Sequence, residues 1–281
     1  MNNFFKKYFF RSKNLDYIGF EFKKLYRDSD IKKIFDTINF YSEISEIRYV
    51  GGCVRKIINQ EDVDDIDLAT NLKPEEVINA LEKENINFFK SGIDHGTVTA
   101  LINEKKFEIT SLRKDIFTDG RHAKVEFSLN WKEDALRRDF TINAIYADKN
   151  GNLFDPFNGK KDLINGEINF IGNAEKRIKE DYLRILRYIR FYINYSKEKH
   201  KAQTLRDIKK NLNGIAIISS ERLLDEFKKL TRSKKFLKLT KDKDCIEIIS
   251  LIFPQFKSFQ ILKNLNSYAE KNFFKFDFIF L

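Results

Sequence analysis

The chain has 281 residues, which is enough for one large domain or two of ordinary size. With 42% apolar and 33% charged residues, it is neither a disulfide-stapled miniprotein nor a disordered chain. Its formal net charge of +10 favours an anionic partner. Charged residues interrupt every apolar run before it reaches the roughly 18 residues that a membrane span needs, so we expect no membrane insertion. Two cysteines without a pairing framework predict a reducing, cytoplasmic compartment.

Changes in the residue pattern predict four segments. They are an N-terminal basic arm and helix (1–46), a mixed α/β domain (47–150), a helical region (151–235) and a short helical tail (236–281). A turn-rich joint over Asp148–Gly172 separates the two larger segments. The predicted fold class is therefore α+β, with a mixed sheet flanked by helices, followed by an all-helical part.

Within these segments the alternation of apolar residues predicts individual elements. Four short runs favour strands: Ile47–Val50, Asp65–Ala69, Gly96–Asn103 and Lys106–Ser111. Helices are expected after Pro74, around Asp134–Ala147, and over Ala174–Tyr195, Thr204–Asn213 and Ser220–Ser233.

A glycine turn follows the first predicted strand. Gly51 and Gly52 precede Arg55 at a predicted helix start. Because glycine has no Cβ, the backbone there can approach a phosphate closely, and Arg55 would add a fork of charged donors. When they are taken alone, the two glycines more often indicate an ordinary turn.

Two carboxylates follow in the next predicted strand. Asp65 and Asp67 are two residues apart, so their side chains should share one face of the strand while Ile66 points into the core. Two like charges that close favour a cation between them, and Mg²⁺ prefers such oxygen ligands. The alternative is an acidic loop shared with Asp62 and Asp64.

Further polar residues lie in the second half of the α/β segment. Glu108 could supply a third carboxylate or serve as a structural ion-pair partner. A polar loop with a glycine hinge is expected over the segment that contains Arg113, Asp115, Gly120, Arg121 and His122. Arg137, Arg138 and Asp139 are typical of a charged helix entry.

A predicted helix over Ala174–Tyr195 carries a regular set of charges. At 100° per residue, the charged residues cover half of the helix surface: Asp181, Arg184, Arg187 and Arg190. Asp181 and Arg184 form the closest pair. One acceptor and one donor suit the edge of a nucleotide base. An amphipathic helix with a solvated arginine face is the alternative.

The histidines and cysteines show no metal-ligand spacing, so no zinc site is expected and His200 is predicted to lie on the surface.

None of these motifs is specific by itself, but their order along the chain is. The stretch from Gly51 to Thr70 reads GGCVRKIINQEDVDDIDLAT. Downstream, in order, come DHGTVTALI, FEITSLRKDIFTDGRHAKVEF, EDALRRDFTINAIY, DPFNGKKDL, EDYLRILRYIRF and SSERLLDEFKKL. The chain resembles the class II tRNA nucleotidyltransferases and bacterial poly(A) polymerases over about residues 49–231. It is most similar to the bacterial CCA-adding branch.

The resemblance implies a polymerase β-like head followed by a helical neck and a shortened body. It implies two Mg²⁺ ions, or Mn²⁺, on Asp65 and Asp67, with CTP and ATP as substrates and the acceptor and TΨC arms of tRNA as partner. It also implies nucleotide contacts from Gly51, Gly52, Arg55 and Arg138 in the head, and from Asp181, Arg184, Arg187 and Arg190 in the neck. Arg113, Asp115, Gly120, Arg121 and His122 match a specificity loop.

One position departs from the family pattern. Lys56 replaces the usual aspartate, and it would either strengthen triphosphate binding or face solvent.

Several alternatives to CCA addition stay open from the sequence. A poly(A) polymerase, a CC-adding enzyme and an A-adding enzyme would carry nearly the same head. A non-catalytic RNA-binding module would not need Asp65 and Asp67. The oligomeric state, the order of nucleotide addition and the way a shortened C-terminus holds tRNA are not encoded in any motif.

Overall fold

The computed structural model describes residues 17–118, 123–233 and 235–254. Their contacts form two compact units: the described residues up to Lys161, apart from Thr118, belong to the first, and those from Asp162 onward to the second. The first unit is mixed α/β and the second is helical. The predicted α+β fold class followed by a helical part is therefore confirmed.

Seven strands form one mixed sheet in the first unit, in the spatial order β3-β4-β5-β2-β1-β8-β9, and two more form a separate ribbon, β6-β7. The strands are β1 (Ile47–Val50), β2 (Asp67–Thr70), β3 (Asn87–Gly92), β4 (Thr97–Ile102), β5 (Lys105–Ser111), β6 (Arg113–Thr118), β7 (Ala123–Phe127), β8 (Tyr146–Ala147) and β9 (Leu153–Phe154). Strand β2 pairs with β1 antiparallel and with β5 parallel. Because β2 lies between β1 and β5, its first residue is next to residues that lie about 40 positions further along the chain.

Helices cover the sheet and build the second unit. They are α1 (17–26), α2 (Ser29–Asn39), α3 (Gly52–Ile58), α4 (Pro74–Lys83), α5 (Trp131–Leu136), α6 (Gly159–Asn165), α7 (Ala174–Glu180), α8 (Leu183–Tyr195), α9 (Ala202–Lys210), α10 (Ser220–Thr231) and α11 (Lys243–Ile252). Local signals explain several starts: Asp28 caps α2 with its side chain, and Pro74 occupies the first turn of α4. Fully buried aromatic residues, among them Phe22, Phe35 and Tyr49, pack into the core of the first unit.

The helix predicted over Ala174–Tyr195 is in fact two helices. Asp181 separates them with extended backbone angles, φ −156° and ψ 105°. Its carboxylate accepts a hydrogen bond from the backbone N–H of Leu183 at 3.2 Å, which satisfies a donor at the start of α8. The continuous sweep of charges predicted from Asp181 onward is therefore wrong at its first member.

Two other predicted elements differ from the structure. The helix expected around Asp134–Ala147 stops at Leu136, and a 3-10 turn (Thr141–Asn143) and strand β8 follow. Because Phe140, Ile142 and Ile145 are all completely buried, their apolar pattern does not distinguish a helix from other buried backbone. The segment predicted as a polar loop from Arg113 onward begins as strand β6.

Some expectations lie outside the described residues. These include the basic arm over residues 1–16, the loop residues Gly120, Arg121 and His122, and the tail from residue 255 onward. Within the described part of the chain, no helix is long and apolar enough to cross a membrane.

Candidate active site

The glycine turn, strand β2 and the segment after α5 meet at one corner of the sheet. Gly51 adopts a φ of +68°, which favours glycine, and a Cβ there would lie 3.6 Å from Nη1 of Arg138. A Cβ on Gly52 would lie 3.7 Å from Oδ2 of Asp67. The turn, a carboxylate and a guanidinium predicted separately from the sequence are therefore neighbours.

The parallel pairing of β2 and β5 places Glu108 directly beside Asp67. Burial raises the pKa of Asp67, and the charge of Glu108 raises it further; Arg138 acts in the opposite direction, and Asp65 again raises it. The charges of Glu108 and Asp65 thus each repel the charge on Asp67 at this corner. This arrangement favours the third-carboxylate interpretation of Glu108 over the ion-pair one.

Asp65 differs from the sequence prediction. Strand β2 begins at Asp67, so Asp65 precedes the strand and is exposed, and Ile66 is only half-buried. The expectation of a strand from residue 65 with Ile66 in the core is therefore wrong. Asp65 nevertheless lies close enough for its charge to affect the pKa of Asp67.

A buried acid holds Arg138 in place. Asp134 is 1% exposed, and its Oδ2 accepts hydrogen bonds from Nε and Nη2 of Arg138 at 3.2 and 3.1 Å and from the hydroxyl of Tyr146 at 2.6 Å. Burial would raise the pKa of Asp134, but Arg138 and Arg137 outweigh it and hold that pKa well below its usual range. No role for Asp134 or Tyr146 was predicted from the sequence. The only sequence feature that points to this cluster is that Asp134 precedes Arg138 by four residues.

Arg55 points inward. It is 8% exposed, and its Nη1 donates to Oδ1 of Asn143, whose own Nδ2 donates to Asp139 at 2.9 Å. Arg55 therefore connects α3 to the 3-10 turn after α5. The neighbouring Lys56 forms an ion pair with Asp64 and lowers the pKa of that carboxyl.

Two residues of the predicted specificity loop are described. The backbone N–H of Arg113 donates to Oδ1 of Asp134 at 3.3 Å, which connects strand β6 to the Arg138 cluster. Burial, followed by the charge of Arg137, lowers the pKa of Arg113 to about 10. Asp115 is half-buried, and its charge acts against that shift.

In the second unit, the predicted base-reading pair has separate partners. Oδ2 of Asp181 accepts a hydrogen bond from Nη2 of Arg222 at 2.8 Å. Nη1 of Arg184 donates to the backbone oxygen of Arg177 and to Oε2 of Glu180, each at 2.7 Å.

The two later arginines of α8 face an acid on α10. Arg190 forms an ion pair with Glu226, and Arg187 lies 3.9 Å from the same carboxylate. The side chain of Glu226 is 3% exposed. This charge cluster joins α8 to α10.

Residues 47–169 match the family model described as the poly A polymerase head domain. Residues 47–169 therefore form a head domain of this family. The matched range contains the glycine turn, the three carboxylates and the Arg138 cluster, so the corner described above lies within this head domain.

Known proteins that contain this head resemble the chain beyond it. The mitochondrial CCA tRNA nucleotidyltransferase 1 of Danio rerio is 42% identical over 215 residues, which cover 75% of this chain and 49% of that protein. One similar structure is the crystal structure of the Bacillus stearothermophilus CCA-adding enzyme in complex with CTP. The match covers 77% of this chain and 50% of that enzyme's chain, with 29% identity and a TM-score of 0.66. A tRNA nucleotidyltransferase complexed with a primer tRNA and an incoming ATP analog covers 83% and 69%, with 26% identity and a TM-score of 0.66.

The chain spans about half the length of the curated relatives it matches. Both mitochondrial and bacterial CCA-adding proteins are among them, the bacterial ones at about 39% identity.

Proposed function

We propose that this protein adds nucleotides from CTP and ATP to the 3′ end of tRNA without a template, completing or repairing the CCA sequence. The observation that carries the proposal is the juxtaposition of Asp67 with Glu108, the glycine turn and Arg138. Nucleotidyl transfer needs acidic ligands for cations beside donors for a triphosphate, and this corner offers both. The relatives' names and their bound CTP, ATP analog and tRNA support the same activity.

The carboxylates fit a divalent cation. Burial and the neighbouring Glu108 both disfavour the charge on Asp67, so a cation there would relieve an existing repulsion. We assign Asp65 and Asp67 as Mg²⁺ ligands, with Glu108 as a third carboxylate. Two such ions, or Mn²⁺, would activate the attacking hydroxyl and neutralise the leaving pyrophosphate when bound.

The other head residues would position the nucleotide. Gly51 and Gly52 leave room for a phosphate to approach the backbone, and Arg138 supplies positive charge beside it. Asp134 would keep the guanidinium of Arg138 fixed in orientation. Arg55 would act through Asn143 rather than by touching phosphate, because it is buried against that amide.

The helical unit would read the base. We assign Asp181 and Arg184 as the acceptor and donor for the edge of CTP or ATP, which requires both side chains to exchange their present partners for the base. Arg187 and Arg190 would make further nucleotide contacts. Arg113 and Asp115, with Gly120, Arg121 and His122, would form the segment that changes specificity.

The proposed function assigns a role to each predicted domain. The head (47–150) performs catalysis, and the helical neck (151–235) binds nucleotide and RNA. The segments 1–46 and 236–281 would add contacts to the tRNA, whose acceptor and TΨC arms are recognised by shape and phosphates. The described cysteines, Cys53 and Cys245, are both free thiols, which supports a cytoplasmic location.

Addition of nucleotides to defined tRNA ends tests the proposal. The protein would be incubated with tRNA lacking its last three, two or one nucleotides, with labelled CTP, ATP or both, and products would be resolved at single-nucleotide length. CCA addition predicts growth by three, two or one nucleotides, respectively, and then a stop. A long adenylate ladder would identify a poly(A) polymerase, and growth by only CC or only A would identify a partial enzyme.

A matched pair of variants links any activity to the corner. Asp67→Asn removes a proposed ligand, whereas Asp64→Asn removes a nearby acid that is already paired with Lys56. Activity in Asp64→Asn and none in Asp67→Asn is the expected result. Equal activity in the two variants would contradict the assignment.

A further inference from the structure

Three side chains of metal-ligating type meet in the second unit. Nε2 of His200 lies 3.3 Å from Oδ1 of Asp242 and 3.5 Å from Sγ of Cys245. The three ligand atoms all lie within 4.8 Å of one another. The side chain of His200 is only 5% exposed and Cys245 is fully buried. The expectation that His200 lies on the surface is therefore wrong, and a cluster exists that sequence spacing does not reveal.

We propose that His200, Asp242 and Cys245 form a zinc-binding site. In tetrahedral zinc coordination with bonds of about 2.0–2.3 Å, a nitrogen and an oxygen ligand lie about 3.3 Å apart and a nitrogen and a sulfur ligand about 3.6 Å. The two distances from Nε2 of His200 match these values to about 0.1 Å. Three protein ligands leave one coordination position for water.

Neighbouring aromatic residues hold the imidazole in the orientation that a metal needs. The hydroxyl of Tyr188 lies 2.9 Å from Nδ1 of His200, the ring nitrogen that faces away from the cluster. The ring of Tyr192 stacks on the imidazole with centroids 3.5 Å apart. A hydrogen bond to the non-ligating nitrogen of a histidine fixes its tautomer and orientation, which is the usual support of a histidine ligand.

The charges of the cluster suit a divalent cation. A thiolate on Cys245 and a carboxylate on Asp242 would balance the two charges of Zn²⁺, so that burial of the complete site costs little. Binding would displace one proton, from the thiol of Cys245 to solvent.

The site would connect separate elements of the second unit. His200 lies between α8 and α9, whereas Asp242 caps α11 and Cys245 lies in its first turn. Strands or helices joined in this way gain stability from the metal because the unfolded chain does not present the ligands together. We therefore expect bound zinc to stabilise the attachment of α11, with no part in nucleotidyl transfer.

Cobalt substitution tests the site independently of enzyme activity. The full chain, stripped with a chelator, would be titrated with Co²⁺ alone, which absorbs in the near ultraviolet when a thiolate binds it. We expect one Co²⁺ per chain with a thiolate band that one equivalent of Zn²⁺ removes. Cys245→Ser should abolish the band, while Cys53→Ser, the matched change at the other free cysteine, should keep it.

Further variants keep the test decisive if Cys245→Ser folds poorly. We expect Zn²⁺ to raise the Tm of the unaltered chain, and His200→Gln should remove that rise. Tyr188→Phe should weaken Zn²⁺ binding by about 10- to 100-fold, as expected for loss of a supporting hydrogen bond. A chain that gives no thiolate band, or a band that survives Cys245→Ser, would overturn the proposal.

Discussion

The two units manage their charges in opposite ways. At the corner of the head, the charges of Glu108 and Asp65 add to burial in raising the pKa of Asp67. In the helical unit, arginines meet acids: Arg190 meets Glu226, Arg184 meets Glu180 and Arg222 meets Asp181. The first pattern disfavours the charge on Asp67, and under the proposed function a bound cation would relieve that repulsion. The second pattern stabilises the unit itself, and a nucleotide would have to compete with internal partners.

The largest effect that would sharpen this comparison is at Asp67. Asp67→Asn should lower transfer by about 10³-fold or more, since several kcal/mol of charge stabilisation depend on the carboxylates. The same change should leave Tm unchanged or raise it, because it removes a repelling charge from a half-buried position. Primer-extension rates and thermal melts measure the two quantities. A large fall in Tm would show that Asp67 is a structural residue.

Asp134 contrasts with Asp67 within the head, because its charge is balanced by Arg137 and Arg138. Asp134→Ala should lower the free energy of unfolding by about 3–5 kcal/mol, because it removes a buried carboxylate and leaves two partly buried guanidinium groups without their partner. Urea denaturation would measure it, with Glu126→Ala, in the exposed pair with Lys114, as the control that changes little.

The low pKa of Asp134 also predicts a direction with pH. A carboxyl whose pKa is depressed in the folded state stabilises the protein above its unfolded pKa of about 3.9, and this contribution is lost as the pH falls below that value. The difference in stability between Asp134→Asn and the unaltered chain should therefore be smaller at pH 3 than at pH 7. An equal difference at both pH values would contradict the low pKa.

Glu226 tests whether the helical unit depends on its internal pairs. Glu226→Gln should cost about 1.5–3 kcal/mol of unfolding free energy, since hydrogen bonds from Arg190 to a buried charged group are replaced by weaker ones. Urea melts of the full chain would measure the change. If stability is unaffected, the pairs of α8 and α10 are incidental, and the comparison between the units fails.

The smallest expected effect concerns base selection. Arg184→Ala should reduce discrimination of CTP and ATP against UTP and GTP by about 1–3 kcal/mol, the value of a good contact to a base edge. Misincorporation assays with each nucleotide would detect it, and Asp181→Ala should behave similarly. Arg177→Ala, which removes the other guanidinium that pairs with Glu180, is the matched control. Unchanged misincorporation with a uniformly lower rate would make the pair structural.

The sequence by itself determined the class of fold, the glycine turn and the resemblance to a known family. These features depend on short-range patterns: Ile47–Val50 is a strand as predicted, and Gly51 occupies the turn that its backbone freedom favours. The family resemblance rests on the order of motifs along the chain, which needs no coordinates. The head matched by the family model begins at the same residue, 47, as the predicted domain.

Only the tertiary structure decided which distant residues meet. Glu108 reaches Asp67 through a parallel strand pairing, and Asp242 and Cys245 reach His200 from more than 40 residues away, which no local spacing encodes. The break at Asp181 is not predictable from proline or glycine, since neither occurs there; instead the side chain of Asp181 accepts a hydrogen bond from the N–H of Leu183 at the start of α8. Local sequence patterns indicate propensity and periodicity. Contacts between remote segments arise from the packing of the whole chain, so only the folded structure identifies them.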